Sequence, residues 1–245
     1  MGRKVRLDKL LVAHGLAPSR QRASELIAAG RVHVDGHPMQ KPAAMVDVSR
    51  QVTVRGDAHT WVGRGAQKLL GVLEPLGVDP ADTVCADLGA STGGFTEVLL
   101  HCGAARVYAI DVGRGQLHHR LATDPRVVVM DGVNVRHLPG LPEPIDLVVA
   151  DLSFISLQQI LPAVQRILAP AGRAVLLVKP QFEVGRAHIG SRGRVHDEDA
   201  RQGAIAAVAA RARALGFAVD AGVDSPLPGA KSGNVEHFLA LSSAE

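Results

Sequence analysis

Short apolar segments alternate with helical segments along residues 66–245, and this alternation constrains the fold more than any other feature. Seven segments are predicted to be strands: 83–88, 105–111, 127–131, 145–151, 173–178, 217–222 and 235–241. Apolar residues at helical spacing predict helices over 66–76, 95–101, 157–168 and 197–215, with Pro162 as a kink in the third. Such alternation predicts an α/β domain with a mostly parallel sheet, which binds ligands beyond the carboxyl ends of its strands.

Residues 1–58 predict a second, small α+β domain, joined to the first by a linker over 59–65. Two short helices are expected within 3–29, where Gly15 and Gly30 end them and Ser19 caps the second. A strand over 31–34, a tight turn at Asp35-Gly36 and further strand pattern over 46–54 follow. This segment holds ten Lys/Arg against five Asp/Glu, whereas the rest of the chain holds 17 against 19. The excess of positive charge favours a polyanionic partner for the small domain.

Composition also excludes several classes of protein. Cys85 and Cys102 flank a predicted strand and its helix, and we expect both to be reduced core residues. The sequence shows no Cys/His cluster of the metal-binding kind, so no metal is predicted. No apolar run approaches the roughly 18 residues of a membrane span, and residues 1–9 do not resemble a signal peptide. We therefore expect a cytoplasmic protein.

A glycine-rich turn, Asp-Leu-Gly-Ala-Ser-Thr-Gly-Gly, follows the first strand of the large domain at residues 87–94. It lacks the second glycine of a dinucleotide fingerprint and the Gly-Lys-Ser/Thr of a P-loop. Asp111 and Asp131 end the next two strands, where a carboxylate can meet a ribose or an adenine. Acids at three strand ends suit S-adenosylmethionine, which is cationic and has no phosphate. The predicted cofactor residues are Asp87, Gly89, Ala90, Ser91, Thr92, Gly93, Asp111 and Asp131.

Two lysines and two carboxylates stand at the edges of predicted elements: Lys68, Asp151, Lys179 and Glu236. This mixture suits methyl transfer to a sugar hydroxyl, which is a poor nucleophile until its proton is leaving. A free lysine has a pKa of about 10.4, and a second ammonium group nearby favours release of its proton. We expect Lys179 to accept the proton or steer the 2′-hydroxyl, and Lys68 to help orient the ribose. Asp151 and Glu236 would hold both lysines.

The small domain resembles the S-four RNA-binding domain, named for a ribosomal protein. The resemblance rests on the segments RLDKLL at 6–11, SRQRA at 19–23, LIAAGRV at 26–32 and VDG at 34–36. It implies that the two helices present basic side chains to the phosphates of structured RNA. The predicted RNA-binding residues are Arg3, Lys4, Arg6, Lys9, Arg20 and Arg22.

Over most of its length the chain resembles the TlyA family of ribosomal RNA 2′-O-methyltransferases, also called hemolysin-like. The resemblance rests on the segments GRGAQKL at 63–69, DLGASTGGFT at 87–96, DLSFIS at 151–156, VKPQFE at 178–183 and GNVE at 233–236. It implies a Rossmann-like methyltransferase domain, S-adenosylmethionine as cofactor, and methylation of cytidine riboses in ribosomal RNA of one or both subunits. It also implies that Lys68, Asp151, Lys179 and Glu236 are catalytic. The alternatives are a non-catalytic ribosome-binding protein and a membrane-active hemolysin.

Overall fold

The computed structural model describes residues 4–14, 16–17, 19–55 and 61–243 of the 245-residue chain. It divides the chain into a small unit, Met1–Thr60, and a large unit, Trp61–Glu245. Three predicted features fall outside the described residues: the side chain of Arg3, the helix end at Gly15, and residues 59 and 60 of the linker.

The small unit combines two helices with two small antiparallel sheets. Its elements are β1 Lys4–Arg6, α1 Leu7–Ala13, α2 Arg20–Ala28, β2 Val32–Val34, β3 His37–Met39, β4 Met45–Asp47 and β5 Val52–Val54. Strand β1 pairs with β4, and β2 lies between β3 and β5. Leu7, Leu11 and Ile27 are fully buried between these elements, so the apolar helix faces form the core.

Local signals in this segment are confirmed where the structure describes them. The Ser19 hydroxyl accepts a hydrogen bond from the backbone N–H of Arg22 and caps α2. Gly30 ends α2 with a φ of 68°, which glycine adopts without steric cost. The placement of Arg6 on a helix is wrong, because Arg6 ends β1 and immediately precedes α1.

The large unit is built on a seven-stranded sheet. Its strands are β6 Val84–Leu88, β7 Arg106–Asp111, β8 Val127–Asp131, β9 Ile145–Ala150, β10 Leu168–Val178, β11 Phe217–Asp224 and β12 His237–Ser243. Its helices are α3 Gly65–Leu73, α4 Gly94–His101, α5 His119–Ala122, α6 Leu161–Ile167, α7 Pro180–Glu183 and α8 Glu198–Ala214. The strand order is β11-β12-β10-β9-β6-β7-β8, and β12 runs antiparallel to both of its neighbours. The predicted mostly parallel sheet is confirmed.

Helices cover both faces of this sheet. Successive side chains of each strand point to opposite faces and therefore join different cores. In β9, Val148 and Ala150 join the core formed with α6 and α8. Leu147 and Val149 join the opposite core, formed with α3 and α4. The central strands therefore carry apolar side chains on both faces, and β9 is apolar without interruption over residues 147–150.

Two predictions about element boundaries need correction. The expected kink at Pro162 is wrong: residues 157–159 form a short 3₁₀ turn, and Pro162 lies in the first turn of α6. Proline is tolerated there because its missing N–H would have no helical partner. Strand β12 begins at His237, so Glu236 precedes the strand instead of opening it.

Sheet register explains why distant residues meet. Leu88 of β6 lies opposite Ile110 of β7 and Ala150 of β9. The antiparallel β12 brings His237 opposite Val178, the last residue of β10. The residues that follow β6, β9 and β10, and the residue that precedes β12, therefore share one edge of the sheet.

Candidate active site

Three adjoining cavities open at this edge of the sheet. The turn cavity, about 220 Å³, is bounded by Asp87, the glycine-rich turn and residues 63–65. The side cavity, about 610 Å³, lies between Asp111, Val133–Val135 and Leu152–Ile155. The lysine cavity, about 430 Å³, lies between Lys68, Lys179, Phe182 and residues 229–232. Asp151 and Ser153 line all three, so the end of β9 is the common wall.

The charges around the three cavities differ in sign. Arg64 and Lys179 balance Asp87 and Asp151 around the turn cavity. The side cavity has one cation, Lys231, against Asp111 and Asp151. The lysine cavity has five cations against two carboxylates; these residues are Arg64, Lys68, Lys179, Arg192, Lys231, Asp151 and Glu236. The turn cavity is therefore close to neutral, the side cavity favours a cationic ligand, and the lysine cavity favours an anionic ligand.

Asp87 lies at the buried base of the turn cavity. Its Oδ2 accepts hydrogen bonds from the Thr96 backbone N–H at 2.8 Å and the Thr96 hydroxyl at 2.6 Å. Its Oδ1 is buried and has no hydrogen-bond partner among the residues that the structure describes. Burial raises the pKa of this carboxyl to about 7. An unsatisfied buried acceptor beside a cavity is suited to a positively charged donor.

The glycine-rich turn holds the backbone close to its neighbours. Gly89 has a φ of 85°, and a Cβ there would lie 2.9 Å from the carbonyl oxygen of Asp151. Gly93 has a φ of 96°, and a Cβ there would overlap the side chain of Leu121. Ala90, Ser91 and Thr92 line the turn cavity between them. The turn thus needs glycine at both ends for conformation and for space.

Replacing Gly89 with alanine is expected to disturb the site more than the fold. The new methyl group would push against Asp151, which lines all three cavities. Gly77→Ala is a matched control, because Gly77 also has a positive φ, of 60°, but no atom lies within 4 Å of the position that a Cβ would occupy there. We expect each variant to lose about 1–3 kcal/mol of stability, and only Gly89→Ala to lose cofactor affinity in calorimetry. Equal affinity in the two variants would contradict this role for the turn.

The acids at the ends of β7 and β8 differ in their surroundings. Asp111 accepts backbone N–H groups of Ser91 at 2.8 Å and Gly113 at 2.7 Å, and it lines the side cavity. Asp131 accepts the backbone N–H of Gly115 at 2.7 Å and is not among the residues that line the three cavities. Sequence reasoning missed Val133 and Asn134, which line the side cavity where Asp131 was expected. They follow Asp131 and Gly132 directly, but neither residue is itself of a type that marks a cofactor site.

The four predicted catalytic residues meet around the lysine cavity as two ion pairs. Lys68 Nζ lies 2.5 Å from Glu236 Oε2, with side chains only 9% and 3% exposed. Lys179 Nζ lies 2.6 Å from Asp151 Oδ1, with side chains 11% and 23% exposed. Lys179 also donates a hydrogen bond to the hydroxyl of Ser153 at 3.0 Å. The second pair is thus nearer to solvent, at the junction of the three cavities.

The loop after β9 carries site residues that the sequence did not single out. Phe154 is 87% exposed, has a φ of 66° and meets Phe182 with ring centroids 5.3 Å apart. Glu183 holds this loop by accepting the Ser156 hydroxyl at 2.6 Å and the Leu157 backbone N–H at 2.7 Å. Burial raises the pKa of Glu183. An exposed aromatic residue in a left-handed conformation, on a loop held by a half-buried carboxylate, indicates a functional loop.

The basic residues of the small unit are partly engaged with acids. Arg6 and Arg20 both pair with buried Asp8, at 2.8 and 3.1 Å, and hold the pKa of that carboxyl well below its usual range. Arg22 pairs with Glu25 at 3.0 Å. Lys4 and Lys9 are exposed. Asp8 therefore orients Arg6 and Arg20 and leaves part of their guanidinium edges in solvent, at 40% and 57% side-chain exposure.

The described residues include no cluster that could bind a metal ion, and their two cysteines are not paired. No group of three or more His, Cys, Asp or Glu side chains in the described ranges could hold a metal ion. Cys85 and Cys102 are free; Cys85 is buried, and burial raises the pKa of its thiol to about 12. Cys85 therefore fits the predicted core role.

Comparisons with known proteins identify both units. Residues 61–243 match the model for FtsJ-like methyltransferases, and residues 5–52 match the S4 domain. The chain is 52% identical to the Mycobacterium tuberculosis 16S/23S rRNA (cytidine-2'-O)-methyltransferase TlyA, over 98% of this chain and 91% of that protein. It is 34% identical to Hemolysin A of Brachyspira hyodysenteriae, over 96% and 100%. A Streptococcus thermophilus structure named as a hemolysin matches with a TM-score of 0.74 and 37% identity, over 99% and 89%. Among the described residues, no helix is both long and apolar enough to cross a membrane.

Proposed function

This chain belongs to the TlyA group of FtsJ-like methyltransferases, and we propose that it methylates cytidine 2′-hydroxyl groups of ribosomal RNA with S-adenosylmethionine as donor. One observation carries the proposal. Two lysine–carboxylate pairs, Lys68–Glu236 and Lys179–Asp151, meet around a positively charged cavity. The neighbouring turn cavity is lined by Asp87, whose buried Oδ1 accepts no hydrogen bond from the described residues. A cationic donor and an anionic acceptor strand would then occupy neighbouring spaces.

The residues of the turn cavity and the side cavity fit the proposed cofactor. Asp87 offers an unpartnered carboxylate oxygen to an ammonium group. Asp111 keeps acceptor capacity on both oxygens after its two backbone contacts and can bind ribose hydroxyls. Val133, Val135 and Ile155 provide apolar walls for a purine. When bound, this cofactor supplies an electrophilic methyl group on a sulfonium centre.

Lys179 is the proposed proton acceptor or steering donor at the 2′-hydroxyl. Its Nζ contacts Asp151 and Ser153, the two residues that line all three cavities. The negative charge of Asp151 would hold the Lys179 ammonium group near this junction, where the 2′-hydroxyl would approach the donor. Lys68, locked by Glu236, lines only the lysine cavity and is proposed to orient the ribose. General base assistance typically contributes about 10²–10⁴-fold, and alignment supplies much of the rest.

The small unit is proposed to bind structured ribosomal RNA through Arg3, Lys4, Arg6, Lys9, Arg20 and Arg22. The match to the S4 domain and the net positive charge of this segment support the proposal. Arg6 and Arg20 gain a defined orientation from Asp8, which suits contact with phosphate oxygens.

The proposed function is tested by methyl incorporation into purified ribosomal subunits. Wild-type protein with labelled donor is expected to modify unmethylated 30S or 50S subunits, and nuclease digestion followed by mass mapping should find 2′-O-methylcytidine. Stable binding to subunits without methyl incorporation would instead favour the non-catalytic alternative. Lysis of erythrocytes by the purified protein, without incorporation, would favour the hemolysin.

Cofactor affinity is expected to rise with pH between 6 and 8. Burial raises the pKa of Asp87 to about 7, so its carboxyl becomes anionic, and attractive to an ammonium group, only above that pH. The same shift makes the cofactor-free protein less stable as pH rises from about 4 to 7, since the folded chain holds a proton that the unfolded chain has released. Titration calorimetry of wild type and Asp87→Asn with S-adenosylhomocysteine measures the affinity, and scanning calorimetry of both proteins without ligand measures the stability. An affinity of wild type that stays constant from pH 6 to 8 would exclude this carboxylate as the ammonium ligand.

A further inference from the structure

Three cationic side chains line the lysine cavity without an acid of their own. Arg64, Arg192 and Lys231 form no hydrogen bond or ion pair through their side chains with other residues in the described part of the chain. Both carboxylates of the cavity are already engaged, Glu236 by Lys68 and Asp151 by Lys179. The three charges are therefore available to a ligand.

Arg192 is held in an unusual backbone conformation at this position. Its φ of 59° and ψ of 21° place it in the left-handed region, which is strained for a residue other than glycine. Asn234, only 3% exposed, fixes the segment by donating its amide N–H to the Gly193 carbonyl oxygen at 3.0 Å and accepting the Val195 N–H at 2.9 Å. It also donates to Gln181, which lines the lysine cavity. The segment that carries Arg192 is thus tied to the cavity wall.

Lys231 is also distinctive, because it lines both the side cavity and the lysine cavity. The loop that carries it ends at Asn234 and Glu236, so the same segment presents Lys231 and anchors both Arg192 and Lys68. Ser232 contributes to this order by accepting the backbone N–H of Asn234 at 3.3 Å. Arg192 and Lys231 therefore stand on two loops that one buried asparagine joins.

We propose that Arg64, Arg192 and Lys231 form a phosphodiester clamp, which binds the phosphates next to the target nucleotide and seats its ribose beside Lys179. The inference rests on the proposed function and adds to it a binding site on the large unit, separate from the basic residues of the small unit. A cationic donor is repelled by this net positive cavity, whereas an RNA strand is attracted. The guanidinium groups of Arg64 and Arg192 can each form bidentate hydrogen bonds with phosphate oxygens, and the Lys231 ammonium group adds a positive charge.

The test compares Arg192→Gln/Lys231→Gln with Arg211→Gln/Arg213→Gln in the full-length protein. The control pair removes the same charge from the exposed side of α8. The probe is ribosomal RNA extracted from purified subunits, and its dissociation constant is measured from 50 to 300 mM salt. Each phosphate contact to a single strand contributes about 0.7 to the log–log salt slope, so the clamp variant should lose about 1.4 and the control should keep the wild-type slope.

A second measurement separates the clamp from misfolding and from failure of the proposed function. The clamp variant should show a raised KM for RNA, because binding shared by the ground state and the transition state is lost. Arg192→Gln alone should keep wild-type affinity for S-adenosylhomocysteine, because Arg192 lines the lysine cavity and neither of the two cavities assigned to the cofactor. Equal salt slopes in the clamp and control variants would overturn the inference. RNA binding by wild type without methyl transfer would overturn the proposed function instead. The salt slopes of the clamp and control variants would still show whether the three residues bind phosphates.

Discussion

Lys179→Ala is expected to lose methyl transfer by about 10²–10⁴-fold while keeping cofactor affinity close to that of wild type. Lys179 contacts Asp151 and Ser153 and lines the turn cavity and the lysine cavity, so its removal takes away the amine nearest to their junction. The expected cofactor ligand, Asp87, keeps its contacts with Thr96. Single-turnover incorporation with saturating donor measures the chemical step, and calorimetry measures the affinity separately.

Lys179→Arg distinguishes the two roles proposed for this residue. Arginine keeps a positive charge that can pair with Asp151, but its guanidinium does not release a proton in proteins and cannot act as a base. If Lys179 accepts the proton, the arginine variant should be as slow as the alanine variant. If Lys179 only steers the hydroxyl, arginine should recover a measurable part of the rate. Wild-type turnover in the alanine variant would remove Lys179 from the mechanism.

The sequence allowed us to predict that the four proposed catalytic residues meet, because parallel strands align their carboxyl ends. Asp151 and Lys179 each follow an unbroken apolar run, and the end of that run fixes the edge of the sheet at which the side chain stands. Glu236 meets Lys68 for a different reason: the last strand runs antiparallel, and its start therefore lies at the same edge. Sequence pattern indicates that the strand exists but not its direction.

Features that depend on loop conformation could not be anticipated. Asp131 ends its strand as expected, yet its carboxylate bonds to Gly115, and Val133 and Asn134 line the side cavity instead. Phe154 and Arg192 are left-handed although neither is glycine. Glu183 and Asn234 hold the neighbouring residues Leu157 and Gly193 through contacts from distant segments. The conformational propensities of individual residues do not reveal contacts between distant segments.

Lys68→Met is expected to destabilise the large unit by about 3–5 kcal/mol as well as to slow catalysis. Glu236 is only 3% exposed at its side chain, and the variant leaves its carboxylate buried without a partner. Arg126→Met is the control, because Arg126 pairs with Asp124 at a side-chain exposure of 43% and should cost about 1 kcal/mol or less. Urea unfolding is followed by the fluorescence of Trp61, the single tryptophan, which packs against His101 in the large unit.

The double variant Lys68→Met/Glu236→Leu separates the structural contribution of the pair from its catalytic one. Replacing both charges with apolar groups of similar size removes the unpaired buried charge, so stability should return to within about 1–2 kcal/mol of wild type. Methyl transfer should stay slow, because the stable double variant still lacks Lys68, the residue proposed to orient the ribose. If the double variant regains methyl transfer together with stability, the Lys68–Glu236 pair is a structural element only, and Lys179 with Asp151 must support the reaction alone.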